Sequence, residues 1–183
     1  EKIETDHVVS LTKEQIGLYE AVSRATMAEI STATGMRRRG LVIRLITALK
    51  QICNHPAQFL KEESIDAKKL VSRSAKISLL DELLEEIIAE DGAALLFTQY
   101  THMARLLAQH LTARGIDHYY LHGGTPVTRR ETMVADFQAG RAPVFLLSRK
   151  AAGTGLNLTR ADHVIHFDRW WNPAVEDQAT DRA

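Results

Sequence analysis

Several features that would define a class of protein are missing from this sequence. Its 183 residues contain one cysteine, Cys53, which excludes an internal disulfide and predicts a reducing compartment. No apolar run approaches the roughly 20 residues that a membrane-spanning helix needs, and the charged start "EKIETDHVVS" has no signal-peptide core. The 23 basic and 23 acidic side chains balance, so any contact with a polyanion must be local. We expect a soluble intracellular protein that does not contact a membrane.

The sequence does contain enough apolar material for a core. Hydrophobic residues make up 45% of the chain, which predicts one folded domain with a helical appendage rather than a disordered polypeptide. The abrupt start and end of the sequence favour a piece of a longer protein.

Helical patterns dominate residues 1–73. Thr12 and Gln15 have the spacing of a capping box, and the helix that they begin is broken at "STATGMRRRG". A second helix is predicted over "LVIRLITALKQICNHP" and ends at Pro56, and a polar connector follows over 57–73. The segment "HVVSL" predicts a short strand before the first helix. The apolar residues of the first helix fall roughly on one stripe, which consists of Ile16, Tyr19, Ala21, Val22 and Met27.

Strand and helix patterns alternate over residues 74–183. The predicted strands are "AALLFT", "DHYYLH", "PVFLLS" and "HVIHFD", with amphipathic helices before and between them. Because several of these strands are too apolar for a solvated face, they predict an α/β fold with a parallel sheet covered by helices on both faces. Gly115 and Gly140 are expected just past helix ends, and Thr125 with Pro126 at a helix start.

Three short patterns resemble nucleotide-binding motifs but lack residues that those motifs need. Residues 35–40 have the glycine spacing of a phosphate loop, but Leu41 and Val42 stand where Lys and Ser/Thr belong. Asp81 in "DELL" lies within an amphipathic helix, so we interpret it as part of a solvated face and not as a magnesium-binding box. The "GTG" at 153–155 has no third glycine for a dinucleotide. The eight histidines do not cluster, so we expect no metal site.

Polar and small residues follow three of the predicted strands, in "FTQY", "LHGGT" and "SRKAAGTGLNL". Open α/β sheets bind their ligands at the carboxyl ends of the strands. Glycine lets backbone N–H groups approach a phosphate closely, and hydroxyl, amide and basic groups hold a sugar–phosphate backbone without reading bases. The candidate nucleic-acid contacts are Thr98, Gln99, Arg149, Lys150 and Thr154.

The last predicted helix carries a second candidate site. Arg182 follows Gln178 and Asp177 on this helix, which comes shortly after a strand. An arginine beside a phosphate stabilises the charge that develops in phosphoryl transfer. The same spacing also fits a surface pair between Arg182 and a residue one turn earlier, and the residues alone leave both interpretations open.

Together, "QICNHP", "FTQY", "LHGGT" with Arg130 and Phe137 downstream, and "AAGTGLNLTRADHVIHFDRWWNPAVEDQATDRA" resemble the C-terminal RecA-like lobe of the Swi/Snf-type superfamily-two helicase-like ATPases. The resemblance covers nearly the whole chain. It implies a RecA-like lobe at 74–183 that ends within motif six, and a helical elaboration and connector from the first lobe at 1–73. "FTQY" resembles motif four, and residues 148–158 resemble motif five.

The resemblance implies a two-lobed motor that hydrolyses ATP and moves along double-stranded DNA. ATP and Mg²⁺ would be bound mainly by the first lobe, whose phosphate loop and acidic box are not in this sequence. Gly153, Gly155 and Asn157 would help to close the cleft on the nucleotide, while Gln178 and Arg182 would be the catalytic contribution.

Two departures affect these assignments. The family's main arginine finger would follow "DRA", beyond the sequence given. Arg149 and Ala152 replace residues that are more often aliphatic and glycine in this family, which puts the contacts of that loop in doubt.

Structural roles are expected for residues around the last helix and the "LHGGT" turn. Trp170 and Trp171 would fix the helix against the sheet, Asn172 would cap it, and Asp168 would steer the corner by bonding the backbone or a basic neighbour. Arg130, downstream of "LHGGT", is expected to have a structural role.

The expected partners are double-stranded DNA, the first RecA-like lobe of the same chain and nucleoprotein. The location would be the cytoplasm, at the nucleoid, in a bacterium, or the nucleus in a eukaryote. The alternatives are the C-terminal lobe of an RNA helicase and a non-catalytic RecA-like interaction module.

Overall fold

The structure is a computed structural model that describes residues 2–148, 151, 155–169 and 173–181, without the side chains of residues 173–175. The chain divides into two compact units, Glu1–Leu80 and Asp81–Ala183, and the boundary falls inside a helix.

The first unit is helical throughout its regular structure. Its helices are α1 (Lys13–Thr32), α2 (Gly35–Asn54), α3 (Pro56–Leu60), α4 (Ala67–Ser72) and the start of α5 (Ala75–Ala89).

The structure of this unit differs from the sequence patterns, or adds to them, at three places. Residues 7–11 form no strand, since the segment has no neighbouring strand to pair with. Residues 35–40 already belong to α2, so the break after α1 is shorter than "STATGMRRRG", because Arg is a good helix former and Gly35 absorbs the positive φ of 57° at the helix start. The connector contains two short helices, and Asp66 caps the second by accepting the N–H groups of Lys68 and Lys69.

The buried stripe of α1 also differs from the predicted one. Gln15, Thr26 and Ile30 are buried, whereas Ile16 and Met27 are 45% and 55% exposed. Hydrophobicity alone therefore selects the wrong face of this helix.

Gln15 is buried because its amide satisfies backbone groups at two helix ends. Its Oε1 accepts the Thr12 N–H at 2.9 Å, which completes the predicted capping box. Its Nε2 donates to the carbonyls of Ile52 at 2.9 Å and Cys53 at 3.3 Å, in the last turn of α2, where carbonyls have no partner within the helix. One side chain thus joins the start of α1 to the end of α2.

Cys53, near the end of α2, is half-buried, and this burial raises the pKa of its thiol. Beside it, His55 is fully buried with both ring nitrogens bonded. Nδ1 accepts the Ala57 N–H at 3.0 Å, so Nε2 carries the proton and donates to the Leu70 carbonyl at 2.8 Å. Burial lowers the pKa of His55, which keeps the ring neutral.

The second unit confirms the α/β prediction. Among the described residues, its strands are β1 (Ala94–Thr98), β2 (His118–Leu121), β3 (Val144–Ser148) and β4 (His163–His166), in the order β2-β3-β1-β4 with every pair parallel. Its further helices are α6 (Thr101–Ala113), α7 (Val127–Gln138) and α8 (Pro173–Thr180).

The core of this unit lies on the sheet. All residues of β1 and β3 are buried, which explains their continuous apolar runs. Leu95 and Phe97 share one apolar cluster with Phe137 of α7 and Ala179 of α8. α6 packs on β1, β2 and β3, and its Leu107 is fully buried.

Two helix ends follow the sequence signals and one helix start does not. Gly115 and Gly140 have φ of 69° and 78°, as expected for residues just past α6 and α7. Thr125 does not cap α7, which begins at Val127 after Pro126. The Thr125 hydroxyl instead accepts the His122 N–H at 3.2 Å and closes the preceding turn.

Asp81 does not lie on a solvated face as predicted. It is 8% exposed, and its Oδ1 is 2.6 Å from Nε2 of the fully buried His110 on α6. Arg114 approaches the other carboxylate oxygen at 3.8 Å. A partner on a neighbouring helix thus offsets the cost of burying this carboxylate. No local pattern in the sequence reveals that partner.

Replacing Gln15 by Met should lower the free energy of unfolding of the chain by about 1–3 kcal/mol, because the carbonyls at the end of α2 lose their donor inside the protein. Glu20→Met, on the exposed face of the same helix, should have little effect. Urea unfolding followed by circular dichroism measures both, and equal midpoints for the two variants would contradict the capping role.

The Asp81–His110 contact should contribute more to stability than an exposed pair of the same chemistry. His110→Gln is expected to lower the free energy of unfolding by about 1–3 kcal/mol, since the buried Asp81 loses a close partner. The control is His163→Gln, because His163 is 2.9 Å from Asp162 with both side chains about half exposed. That change should cost less than about 1 kcal/mol. Equal losses in urea unfolding would show that burial adds nothing.

Candidate functional site

The carboxyl ends of the strands lie along one edge of the sheet. Thr98 is in register with Ser148, and Phe97 is in register with His166. The Phe167 N–H continues this ladder by donating to the Phe97 carbonyl at 2.9 Å. Because the four described strands are parallel, the carboxyl ends of β1, β3 and β4 lie at the edge where α/β sheets bind ligands.

Asp168 connects the ends of β1 and β4. It is 3% exposed, and its Oδ2 accepts the Thr98 hydroxyl at 2.5 Å. Its Oδ1 accepts the backbone N–H of Gln99 at 2.9 Å. The Gln99 side-chain amide in turn donates to the carbonyl of Arg169. We call these four residues, Thr98, Gln99, Asp168 and Arg169, the Asp168 corner.

The two predicted DNA contacts in this corner face different surroundings. Thr98 is fully buried and its hydroxyl is bonded to Asp168, so it holds the corner together instead of presenting a group to DNA. Gln99 is half-buried at the surface end of the strand. Of these two residues, only Gln99 is placed where it could contact DNA.

Tyr100 and Ser148 are polar residues of this edge that the sequence did not single out. Burial and the neighbouring charge of Asp168 raise the pKa of Tyr100 to about 12, so its phenol stays protonated at neutral pH. Within the described part of the chain, the Tyr100 hydroxyl and Ser148 Oγ are buried atoms with no hydrogen-bond partner. The signal that could have identified them is their position, because Ser148 ends the apolar strand β3 and Tyr100 comes two residues after the end of β1.

Arg130 holds the "LHGGT" turn after β2. Its Nε donates to the Thr125 carbonyl at 2.9 Å, and Nη2 donates to the Gly123 carbonyl at 3.4 Å. The His122 ring accepts the Gly124 N–H at 3.2 Å, and a Cβ on Gly124 would lie 3.3 Å from that ring. The turn is therefore fixed by its own side chains and by the start of α7.

Side-chain contacts attach α8 to the end of β4. The carboxylate of Glu176, in the first turn of α8 and 8% exposed, lies 3.0 Å from Nε of Arg169. Thr180 donates to the Glu176 carbonyl at 3.0 Å, and its hydroxyl accepts from His166 Nε2 at 2.9 Å. The ring of Phe97 stacks on His166, with the centroids 5.4 Å apart.

Other predicted site residues lie at the surface or outside the described residues. Gly155 has φ of 66°, which favours glycine, and it is exposed, as are Asn157 and Gln178. The residues outside the described part of the chain are Arg149, Lys150, Gly153, Thr154, Trp170, Trp171, Asn172 and Arg182.

The described ranges contain no group of three His, Cys, Asp or Glu residues arranged to hold a metal ion. In the same ranges no helix is both long and apolar enough to cross a bilayer. Gly35–Gly40, whose spacing resembles a phosphate loop, lies in α2.

Comparison with known proteins identifies the family to which this chain belongs. The helicase conserved C-terminal domain family matches residues 75–183. The Bacillus subtilis protein YwqA, named as an ATP-dependent helicase/translocase, is 45% identical over the whole chain, which spans 20% of YwqA. The human SWI/SNF-related regulator of chromatin subfamily A member 1 is 31% identical over the whole chain, which covers 19% of it. The chain thus spans about one fifth of the length of these relatives.

Solved structures from Sulfolobus solfataricus have the same fold. The C-terminal domain of a SWI2/SNF2 ATPase superposes with a TM-score of 0.79 at 35% identity, covering 91% of this chain and 72% of that one. The core of that ATPase, solved in complex with double-stranded DNA, gives 0.81 at 34% identity and covers 94% of this chain and 35% of that one. The chain therefore belongs to the helicase conserved C-terminal domain family, in its Swi/Snf branch.

Proposed function

We propose that this chain is the second motor lobe of an ATP-dependent double-stranded DNA translocase or remodeller of the Swi/Snf type. The observation that carries the proposal is the Asp168 corner. It joins Gln99, a candidate DNA contact, to the strand end from which α8 and its candidate catalytic residues follow. A lobe of a motor needs such a connection between its nucleic-acid side and its nucleotide side.

The DNA contacts in this proposal are phosphate contacts at the carboxyl edge of the sheet. Gln99 lies at this edge, and Arg149, Lys150 and Thr154 follow β3 in the sequence. Groups of this kind position a duplex without reading bases, which suits a protein that moves along DNA. The related SWI2/SNF2 ATPase core that was solved with double-stranded DNA supports a duplex as the substrate.

The chain's own residues fit a contribution to ATP hydrolysis better than they fit a metal site. Exposed Gly155, Asn157 and Gln178 offer backbone and amide groups to a phosphate. The carboxylates of Asp168 and Glu176 are buried and already bonded to neighbouring groups, so neither is presented to Mg²⁺. Mg²⁺ and most of the ATP contacts then belong to the first RecA-like lobe, and Mg²⁺ there would neutralise the phosphate charge.

In this proposal the protein that carries the chain acts on duplex DNA or on nucleoprotein. It works at the nucleoid if it is bacterial, or in the nucleus if it is eukaryotic. The relatives include both a Bacillus protein and a human chromatin regulator by name.

The full-length protein should hydrolyse ATP with stimulation by duplex DNA, and the isolated 183-residue chain should not hydrolyse it.

Arg182→Ala should lower the stimulated kcat by about 100-fold or more, because a cationic donor for the developing charge is removed. Steady-state phosphate release with duplex DNA or RNA of equal length is the measurement. Stimulation by RNA alone would favour an RNA helicase, and unchanged turnover in Arg182→Ala would favour a non-catalytic module.

Asp168→Asn should weaken the response to DNA. An asparagine can accept only through its Oδ1, so either the Thr98 hydroxyl or the Gln99 N–H loses its acceptor and the corner shifts. We expect the duplex concentration for half-maximal ATPase stimulation to rise about tenfold, equivalent to 1–2 kcal/mol of lost positioning. Asp177→Asn, at an exposed site on α8, is the matched control. Equal half-maximal concentrations for both variants would contradict the positioning role of Asp168.

A further inference from the structure

One stretch of the first unit carries charge of a single sign. Residues 30–61 contain six lysine and arginine side chains and no aspartate or glutamate, although the whole sequence has 23 charges of each sign. Three of the six are consecutive, Arg37, Arg38 and Arg39, and all three are exposed in α2. We call these three residues the arginine run. The Asp168 corner and the sheet edge do not use it, since both are built from residues of the second unit.

The arginine run has no protein partner within the described ranges of the chain. Other exposed arginines do have one, since Arg44 of the same helix lies 3.2 Å from Glu29 and Arg141 of α7 lies 2.6 Å from Asp136. No side chain of the run makes a hydrogen bond or an ion pair with a described residue. The acidic residue that precedes the run in the sequence is Glu29, which Arg44 already holds. The charge of the run is therefore left for solvent or for a binding partner.

The stability of α2 does not explain this arrangement. The first turn of a helix carries a partial positive charge, so acidic side chains stabilise it and basic side chains destabilise it. The first turn of α2 contains no acidic residue, and Thr34 before it makes no side-chain capping bond. Three neighbouring arginines also repel one another. A group of residues that opposes the local rules of folding is expected where the protein has a functional use for it.

The directions of the three side chains favour a phosphate backbone over an acidic protein surface. Successive residues of an α-helix point about 100° apart, so the arginine run covers about 200° of the circumference of α2. A protein helix packed along one side of α2 would meet only part of this arc. Each strand of duplex DNA carries a charge every ~3.4 Å along its axis, so a strand that crosses the start of α2 can pair with all three. The planar guanidinium also matches phosphate geometry.

We propose that the arginine run is a second contact with duplex DNA, on the helical unit and separate from the sheet edge. The inference rests on the proposed function. The run binds phosphates, which carry no sequence information, so it does not hold a moving protein at a preferred sequence. Because the chain as a whole has no net charge, this attraction depends on the local run and not on the overall charge.

The test is the salt dependence of duplex binding by the full-length protein. The logarithm of the binding constant falls linearly with the logarithm of the salt concentration, by about 0.9 for each phosphate that the protein neutralises. The triple variant Arg37→Gln, Arg38→Gln, Arg39→Gln should reduce this slope by about 2–3 and raise the Kd near physiological salt about 10- to 100-fold. Fluorescence anisotropy of labelled duplexes of equal length measures both quantities. The loss should be the same for duplexes of unrelated sequence.

Two single variants on the same helix provide the matched comparison. Arg38→Gln removes a charge that has no partner among the described residues, and it should reduce the slope by about one. Arg44→Gln removes a charge that Glu29 already neutralises, and it should leave the slope unchanged. The Tm of the triple variant should equal or exceed that of the wild type, because repulsion at the start of α2 is relieved. A structural role for the run predicts a lower Tm.

The outcomes distinguish the inference from the function on which it rests. A wild-type protein that does not bind duplex DNA would contradict the proposed function and the inference with it. If the wild type binds and the triple variant has the same Kd and slope, the inference alone is overturned, and an acidic protein partner beside the exposed Met36 and Ile43 is favoured. Equal slopes for Arg38→Gln and Arg44→Gln would also overturn it, because net charge would then be the cause. Weaker binding together with a lower Tm would count against it as a structural effect.

Discussion

A carboxylate removed from water is stable only where polar groups replace its lost hydration. At Asp168 these groups include the Thr98 hydroxyl and the Gln99 N–H, both from the end of β1. Asp168 itself follows β4, so one buried charge fixes the ends of two neighbouring strands. The Gln99 amide reaches the Arg169 carbonyl because the two main chains are held at this distance. The contacts of α8 with the corner depend on the same constraint.

The burial of the strands explains why the polar groups of this site lie at one edge of the sheet. β1 and β3 are buried along their whole length, and an unpaired polar side chain inside them would lack both water and a partner. Thr98 and Ser148, in register at the carboxyl ends of these strands, are their polar residues, and the Thr98 hydroxyl has its partner in Asp168 across the sheet. Parallel pairing then places every such end at the same edge. Burial of the strands thus concentrates the polar groups at one edge of the sheet.

Local signals predicted the fold well, whereas contacts between distant segments were missed. The capping box of Thr12 and Gln15, the glycines after α6 and α7, and the apolar strands all depend on neighbours within a few residues. The contact between Asp81 and His110 joins residues on two helices, and only the folded chain reveals it. Gln15 shows the same limit, since its capping role was visible but its bond to the end of α2 was not. Because a buried Gln15 does not fit a hydrophobic stripe, periodicity predicted the wrong buried face for α1.

The candidate site shows this division most clearly at Thr98. Sequence reasoning placed Thr98 at a strand end and inferred that its hydroxyl faces a ligand, because a local pattern cannot show what lies across the sheet. Asp168, seventy positions later, accepts that hydroxyl. The contact between Arg169 and Glu176 was missed in the same way. The buried carboxylate of Glu176 needs polar groups in place of water, and Nε of Arg169 lies 3.0 Å from it. The residues that link the two sides of the corner are therefore found from contacts across the sheet and not from motif spacing.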